Sequence, residues 1–502
     1  MDLFPEPSAF EATYRAGRPQ VVWTRLVADL ETPVSALLKL AKGQPMSFLF
    51  ESVEGGAARG RYSFIGLRPD LIWRCRGPQA EINRDALARP GAFVPCETPT
   101  LDSLRTLIDE CRLDIPAELP PMASGLFGYM GYDTVRLMER LPDDNPDTLG
   151  VPDGMFLRPT VIAIFDNIED VVDLITPVWP SPDIDAASAH TAAESRLAEM
   201  VAAFEAPLDH SLTTSREASP PPVPESNTTR ERYHEMVVKA KEYILAGDIF
   251  QVVPSQRFSV PFTLPPIALY RALRRLNPSP FLFFLDFGDF SVVGSSPEIL
   301  VRLRDGTVTI RPIAGTRPRG TTAADDKRLE DDLLADPKEI AEHLMLLDLG
   351  RNDVGRVAKT GTVKVTERMV IERYSHVMHI VSNVDGRIAD GLNALDALVA
   401  GFPAGTVSGA PKVRAMEIID ELESARRGIY AGAVGYFAAN GAMDTCIALR
   451  TAVVKDGIMY VQAGGGVVAD SDPEAEYQES GNKARALIRA AEEAVKFAAR
   501  KG

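Results

Sequence analysis

Apolar positions along the chain change period several times, which predicts strands and helices within one fold. Residues 160–165 (TVIAIF) and 171–175 (VVDLI) are apolar runs split by Asp166-Asn167, the pattern of two buried strands joined by a turn. Residues 184–206 are rich in Ala, Glu and Leu and predict a helix. Tyr233, Met236, Val237, Ala240 and Ile244 recur at helical spacing and build one apolar face. Thr228 with Glu231 offers a capping box before that face, and Gly247 a stop after it. FQVVPSQRFSV, FLFFLDF and FSVVG read as strands. ILVRLR and TVTIRPI flank Asp305-Gly306, a pair that tolerates positive φ and predicts a type I′ hairpin turn. Two later helices begin alike, at Asp336-Pro337 and Asp472-Pro473, with Asp as N-cap and Pro at the first helical position. The second runs on through ARALIRAAEEAVKFAA to the C-terminus.

Hairpins mixed with long helices indicate an α+β fold rather than a regular βαβ alternation, and no repeat of solenoid period is present. Residues 207–228 are rich in Ser, Thr and Pro, with Pro220-Pro221-Pro222, and read as a linker or surface loop. They divide an N-terminal region, 1–206, from a larger region, 229–502.

Composition narrows the partners. The 502 residues are 45% hydrophobic, enough for a large core and two or three domains. A net charge of −16 argues against nucleic acid or an anionic membrane as the main partner, and an anionic substrate would need a local cationic pocket or a metal. Cys75, Cys96, Cys111 and Cys446 are scattered and form no CxxC pair, which points to reduced thiols rather than a zinc knuckle or a disulfide framework. MDLFPEPSAFEATYRAG lacks the basic stretch and apolar core of a secretory leader, and no apolar run has the length of a membrane span, so a cytoplasmic protein is expected.

Two acidic pairs are candidates for chemistry. Glu339 and Glu342, and Glu476 and Glu479, are each three residues apart in helical sequence, so each pair shares one helix face. Four carboxylates from two helices suit a hard cation such as Mg²⁺. Spacing alone favours acidic residues that cap or offset the helix dipole, Glu339 above all, which follows Asp336 by three residues. The glycines of Gln462-Ala463-Gly464-Gly465-Gly466-Val467-Val468 would let a ligand approach the backbone, or make a flexible turn. Arg450 suits a carboxylate clamp or a surface ion pair. His379, in an apolar setting, suits a hydrogen-bonded core position.

Taken in order, the segments are far more specific. FESVEGGAARGRYSFIG, GDIFQVVPSQR, NPSPFLFFLD, GSSPEILV, RPIAGTRPRG, DPKEIAEHLMLLDLGRNDVGRV, ERYSHVMHIVSNVDG, FPAGTVSGAPKVRAMEIIDELE, RRGIYAGAVGYF, MDTCIALRTAV and VQAGGGVVADSDPEAEYQESGNKARA closely resemble the anthranilate synthase component I family, a branch of the chorismate-utilising enzymes. The resemblance covers most of residues 48–490. It implies two β-sheets packed face to face with helices outside, and an active site in a cleft of the larger C-terminal region. It implies Glu342 and Glu479 as Mg²⁺ ligands, with Glu339 and Glu476 nearby, direct or through water. Gly315, Thr316, Tyr430, Arg450, Gly464, Gly465 and Gly466 match the family's chorismate-binding positions. Glu298, His379, Thr406 and Lys483 match polar residues around the same pocket: Glu298 as a candidate acid, His379 as a helper of the second step, and Lys483 beside the substrate.

The activity implied is that of a Mg²⁺-dependent lyase converting chorismate and ammonia to anthranilate and pyruvate, in tryptophan biosynthesis. Two positions choose among family members. Ala314 stands where many aminodeoxychorismate synthases carry a lysine that can attack C2, and Gln251 where isochorismate and salicylate synthases carry a lysine that activates water. Both departures favour ammonia. No region offers a nucleophilic Cys in a glycine-rich elbow with a downstream His/Glu pair, so the resemblance implies a separate glutamine amidotransferase subunit and a hetero-oligomer. It also implies feedback inhibition by L-tryptophan, since Ser52 and Pro280-Phe281-Leu282 match the family's tryptophan-binding positions. Phe50 replaces the usual Leu there, and Phe281-Leu282 the usual Tyr-Met. The alternatives are an aminodeoxychorismate synthase component I and, in another class, a non-catalytic tryptophan-binding regulatory subunit.

Overall fold

A computed structural model describes residues 1–54, 58–209, 223–374 and 377–499. Pro220–Pro222 of the proline-rich stretch lie outside the described residues.

Most strands among the described residues belong to one continuous antiparallel ladder that folds over into two sheet layers. In the first, Gln20–Val27, Val171–Val178, Gly154–Asp166, Tyr62–Arg76, Ser47–Glu51, Phe281–Asp286, Phe290–Ser296, Thr451–Lys455, Ile458–Gly464 and Ser255–Pro261 follow one another. In the second, Gly154–Asp166 is followed by Gly125–Met130, Ala433–Ala438, Met443–Ile447, Ile299–Arg304, Thr307–Ile310 and Val377–Arg387. Val377–Arg387 also pairs with Ile313–Pro318 and Lys364–Arg373.

The sheets are joined because Tyr62–Arg76 and Gly154–Asp166 are long enough to serve both. Their register shifts between Pro69 and Leu71, and Arg68 adopts φ 50°. Such an irregularity bends the strand pair and increases its twist. Before the bend, Phe64–Gly66 meets Ser47–Glu51; after it, Ile72–Arg76 meets Gln79–Asn83, and Gly154–Leu157 meets Gly125–Met130. Strands on either side of residues 207–228 pair directly, as Ser47–Glu51 does with Phe281–Asp286.

Between the sheets lies an aromatic core. Phe48 of the first sheet stacks on Phe127 of the second at 4.7 Å, and Phe64 meets Tyr436 edge-on at 5.6 Å. A Cβ on Gly66 would sit 2.1 Å from the Phe48 ring, so that ring requires glycine there. Helices Pro33–Ala41, Ala186–Glu205, Pro266–Leu276 and Pro473–Ala499 bury Leu37, Leu197, Leu269 and Leu487 on the outer face of the first sheet. Thr100–Glu110, Pro337–Gly355 and Ala394–Gly401 bury Leu104, Leu347 and Leu395 on the outside of the second. The expected α+β fold, two sheets face to face with helices outside, is the one found.

Most local expectations hold as well. Asp305 and Gly306 both have positive φ, 48° and 70°, as a type I′ turn requires. Asp336 accepts from the Lys338 and Glu339 amides, and Asp472 from the Ala475 amide. One expectation fails by a residue. The helix Arg230–Ala246 is capped by Thr229, whose hydroxyl accepts from the Arg232 amide. Thr228 is buried and bonds to the Asn227 side chain instead. TVTIRPI is also two strands, Thr307–Ile310 and Ile313–Pro318, rather than one.

Candidate active site

The expected site residues gather where the second sheet, the C-terminal strand Ile458–Gly464 and the helices Pro337–Gly355 and Pro473–Ala499 meet. Thr316 pairs with His379 across neighbouring strands. The His379 Nδ1 lies 3.1 Å from the Gly315 carbonyl and 3.0 Å from the Thr316 hydroxyl. Its Nδ1–H therefore donates to that carbonyl, which leaves Nε2 with its lone pair. Burial lowers the His379 pKa, opposed by the Gly315 hydrogen bond, so the ring is neutral at pH 7.

Glu298 is buried and accepts from Thr406 at 3.2 Å. Burial pushes its carboxyl up to about 8, while the Thr406 hydroxyl, the Ile313 backbone and the charges of Arg450 and Lys483 hold it down. It is thus a carboxylic acid near neutral pH. Arg450 adopts φ 48°, and among the described residues its guanidinium makes no hydrogen bond or ion pair. Burial lowers its pKa, opposed by Glu298 and Tyr374. A partly exposed cationic fork without an anionic partner is suited to receive one. Burial raises the Tyr430 phenol to about 12, with Arg427 acting against it.

Gly464 is required by its surroundings, since a Cβ there would lie 2.4 Å from the Pro254 carbonyl oxygen, and the next two glycines let side chains approach closely. A Cβ on Gly465 would lie 2.7 Å from Glu476 Oε2, and one on Gly466 2.4 Å from Gln251 Nε2. Gly464 offers its carbonyl to the Lys483 ammonium at 3.0 Å.

Each of the four glutamates has its own partner. Glu339 is 3.1 Å from Arg317, which also pairs with Asp332 and Asp336. Glu342 accepts from Gln251 at 3.2 Å. Glu476 accepts from Ser471 at 2.7 Å, and its buried Oε2 has no partner. Glu479 pairs with Lys483 at 2.8 Å. Among the described residues no group of three or more His, Cys, Asp or Glu side chains is close enough to hold a metal ion. The donor chemistry nevertheless fits a hard cation: all donors are oxygens, one is an unpartnered buried oxygen, and Glu342 and Glu476 both feel the negative charge of Glu479.

The expected tryptophan positions are elsewhere. Ser52, Pro280, Phe281 and Leu282 line a cavity of about 850 Å³ between the sheets, where Val434, Tyr436 and Cys446 form part of the far wall.

A family model described as chorismate binding enzyme matches residues 55–489. The chain belongs to that family. Its relatives in the chorismate-binding family include anthranilate synthase component 1 of Cereibacter sphaeroides, 60% identical over 497 residues, spanning 98% of this chain and 99% of that protein. Anthranilate synthase component 1 of Pseudomonas putida is 53% identical over 469 residues, 92% of this chain and 93% of that one. Anthranilate synthase component I from Streptococcus pneumoniae TIGR4 superimposes with a TM-score of 0.74 at 38% identity, covering 86% of this chain and 92% of that chain. The menaquinone-specific isochorismate synthase of Escherichia coli, with a TM-score of 0.69 at 20% identity over 96% of this chain and 99% of that chain, shares the fold. No helix among the described residues is long and apolar enough to cross a membrane.

Three residues of this chorismate-binding enzyme escaped sequence reasoning. Tyr374 packs edge-on against His379, with ring centroids 5.5 Å apart. Arg317 holds Glu339. Arg427 is buried, pairs with Glu423 at 2.6 Å, and donates to the Val407 and Val253 carbonyls, fixing the chain beside Thr406 to the chain beside Gln251. The Glu423–Arg427 spacing of four was the one local signal available for it. All four cysteines are free thiols.

Proposed function

We propose that this chain is an anthranilate synthase large subunit that converts chorismate and ammonia to anthranilate, pyruvate and water. The observation that carries the reading is Glu298, buried and hydrogen-bonded to Thr406, with its carboxyl pushed up to about 8 by burial and within the field of Arg450. Chorismate is a dicarboxylate with a poor leaving group at C4, and these two side chains answer those two needs. Arg450 and the amides of Gly464, Gly465 and Gly466 bind the enolpyruvyl carboxylate. Tyr430 and Thr316 border the ring, and Lys483 adds positive charge. Mg²⁺, held by Glu342 and Glu479 with Glu339 and Glu476 beside them, supplies positive charge opposite the ring carboxylate when bound.

Ammonia forms a bond to C2 while the C4–O bond breaks. Glu298, oriented by Thr406, gives its proton to the departing hydroxyl, which leaves as water. The ammonium formed at C2 returns a proton to Glu298; His379 Nε2, free of its own proton, then accepts the C2 proton as the enolpyruvyl C–O bond breaks, the ring becomes aromatic, and the departing enolate takes up a proton to become pyruvate. Gln251 is no base at neutral pH and Ala314 is no nucleophile, which supports ammonia over water or a covalent lysine adduct. Ammonia comes from the glutaminase reaction of a partner amidotransferase. L-Tryptophan, bound in the cavity at Ser52, Pro280, Phe281 and Leu282, inhibits from outside the chorismate site; its indole suits the apolar wall and its polar end the Ser52 hydroxyl.

Mass spectrometry of products from chorismate, Mg²⁺ and ammonium with this chain alone tests the proposal. Anthranilate with pyruvate is expected from ammonium, and no product from glutamine. A 4-amino product would replace the reading with an aminodeoxychorismate synthase, and unconsumed chorismate with a regulatory subunit.

A further inference from the structure

The cavity and the active site are closer than their separate ligands suggest, because one set of strands forms the wall between them. Side chains alternate along a strand. Pro297 and Ile299 line the cavity, while Glu298 between them faces Thr406. Further along the same sheet, beyond Thr307–Ile310, Glu372 lies directly opposite His379 in register. Tyr374 follows that strand and touches both compartments. It lines the cavity, and its ring meets the His379 ring edge-on at 5.5 Å and 63°. Its hydroxyl donates to Glu372 Oε2 at 2.9 Å. Arg311 in turn donates to Glu372 Oε1 at 2.6 Å. Glu372 and Arg311 are both cavity wall. The ring is thus anchored on the cavity side by its hydroxyl and presses on the imidazole with its edge.

We propose that Tyr374 is a positioning residue through which an occupant of the cavity sets the orientation of His379. An occupant that shifts Glu372 or Arg311 pulls on the phenol. The ring then tilts the imidazole away from the Gly315 carbonyl that fixes its tautomer. Two packed arrangements of one side chain suffice as the bistable element that coupling between two sites requires. The inference rests on the reading of the cavity as a tryptophan site, and it assigns the step that follows occupancy.

The test separates occupancy from its consequence. Tyr374→Phe keeps the ring on His379 but removes its anchor to Glu372. Tryptophan binding is measured by calorimetry, and ammonia-dependent anthranilate formation is titrated with tryptophan, for wild type and variant. We expect the variant to bind tryptophan within about threefold of wild type, and to need roughly tenfold more tryptophan for half inhibition. Chorismate added without ammonia should weaken tryptophan binding to the wild type and leave binding to the variant unchanged, since coupling is reciprocal. Wild-type inhibition in the variant overturns the proposal. So does loss of tryptophan binding in the variant, which would make Tyr374 only a wall of the pocket. No tryptophan binding by the wild type would instead remove the underlying reading of the cavity.

Discussion

The helices Pro337–Gly355 and Pro473–Ala499 begin with the same two residues and carry the same pair of glutamates, yet they hold those glutamates in reverse order. In each helix one carboxylate is tied to a cation and the other to a neutral donor. On the first, the earlier glutamate, Glu339, faces Arg317, and the later, Glu342, takes a hydrogen bond from Gln251. On the second, the earlier, Glu476, takes its bond from Ser471, and the later, Glu479, faces Lys483. Burial raises the pKa of Glu342 and of Glu476, with Gln251 and Ser471 acting against it. Identical spacing therefore does not fix identical roles. Before a metal could be shared among the four, Arg317 and Lys483 would have to give way.

The comparison can be broken most forcefully at the glutamates themselves. Glu342→Gln or Glu479→Gln should lower turnover by at least about a hundredfold, with an unchanged circular dichroism spectrum, because each removes a ligand charge at nearly constant volume. Near-normal rates at saturating Mg²⁺ would return these residues to the role of helix-dipole partners. Glu298 sharpens the contrast, since it is held neutral rather than shared with a cation. Its acid form is the active one, so activity should be present below its pKa of about 8 and fall as pH rises through that value. At constant free ammonia, kcat/KM should fall about tenfold per pH unit above that point, and a flat profile would exclude Glu298 as the proton donor.

Smaller effects separate the two cations and the two caps. Lys483 and Glu479 are both half-exposed, so their pair is weak. Lys483→Met should tighten Mg²⁺ binding measured calorimetrically without chorismate by no more than about fivefold; weaker binding would show that the lysine does not compete. Asp472→Ala should cost about 1 kcal/mol in a urea melt and leave turnover intact. Asp336→Ala should cost more than Asp472→Ala, because Asp336 also pairs with Arg317. Equal costs would mean that the ion pair adds nothing.

What the sequence disclosed was whatever is decided within a few residues. The Asp336 and Asp472 caps, the Asp305-Gly306 turn and the stop at Gly247 are local, and each was legible. The choice between Thr228 and Thr229 was not, because adjacent identical residues differ only in what the rest of the fold buries. The bend at Arg68 was equally hidden, since it exists to let one strand pair serve two sheets. At the site, motif resemblance pointed to the residues around Arg450 and Glu298. It carried no sign of Arg450's positive φ or of Tyr374 behind His379. Those depend on chains that meet only after folding.

The corner strands Tyr62–Arg76 and Gly154–Asp166 have a further consequence, for anyone who would take the protein apart. Suppose the backbone were cut between residues 209 and 223. The first piece would expose the edge of Ser47–Glu51 that Phe281–Asp286 covers, and the edge of Gly125–Met130 that Ala433–Ala438 covers. The second piece would expose the matching edges. Open edges of this kind recruit wrong partners. The two polypeptides would have to be made in the same cell and fold around each other, each serving as the other's missing sheet edge.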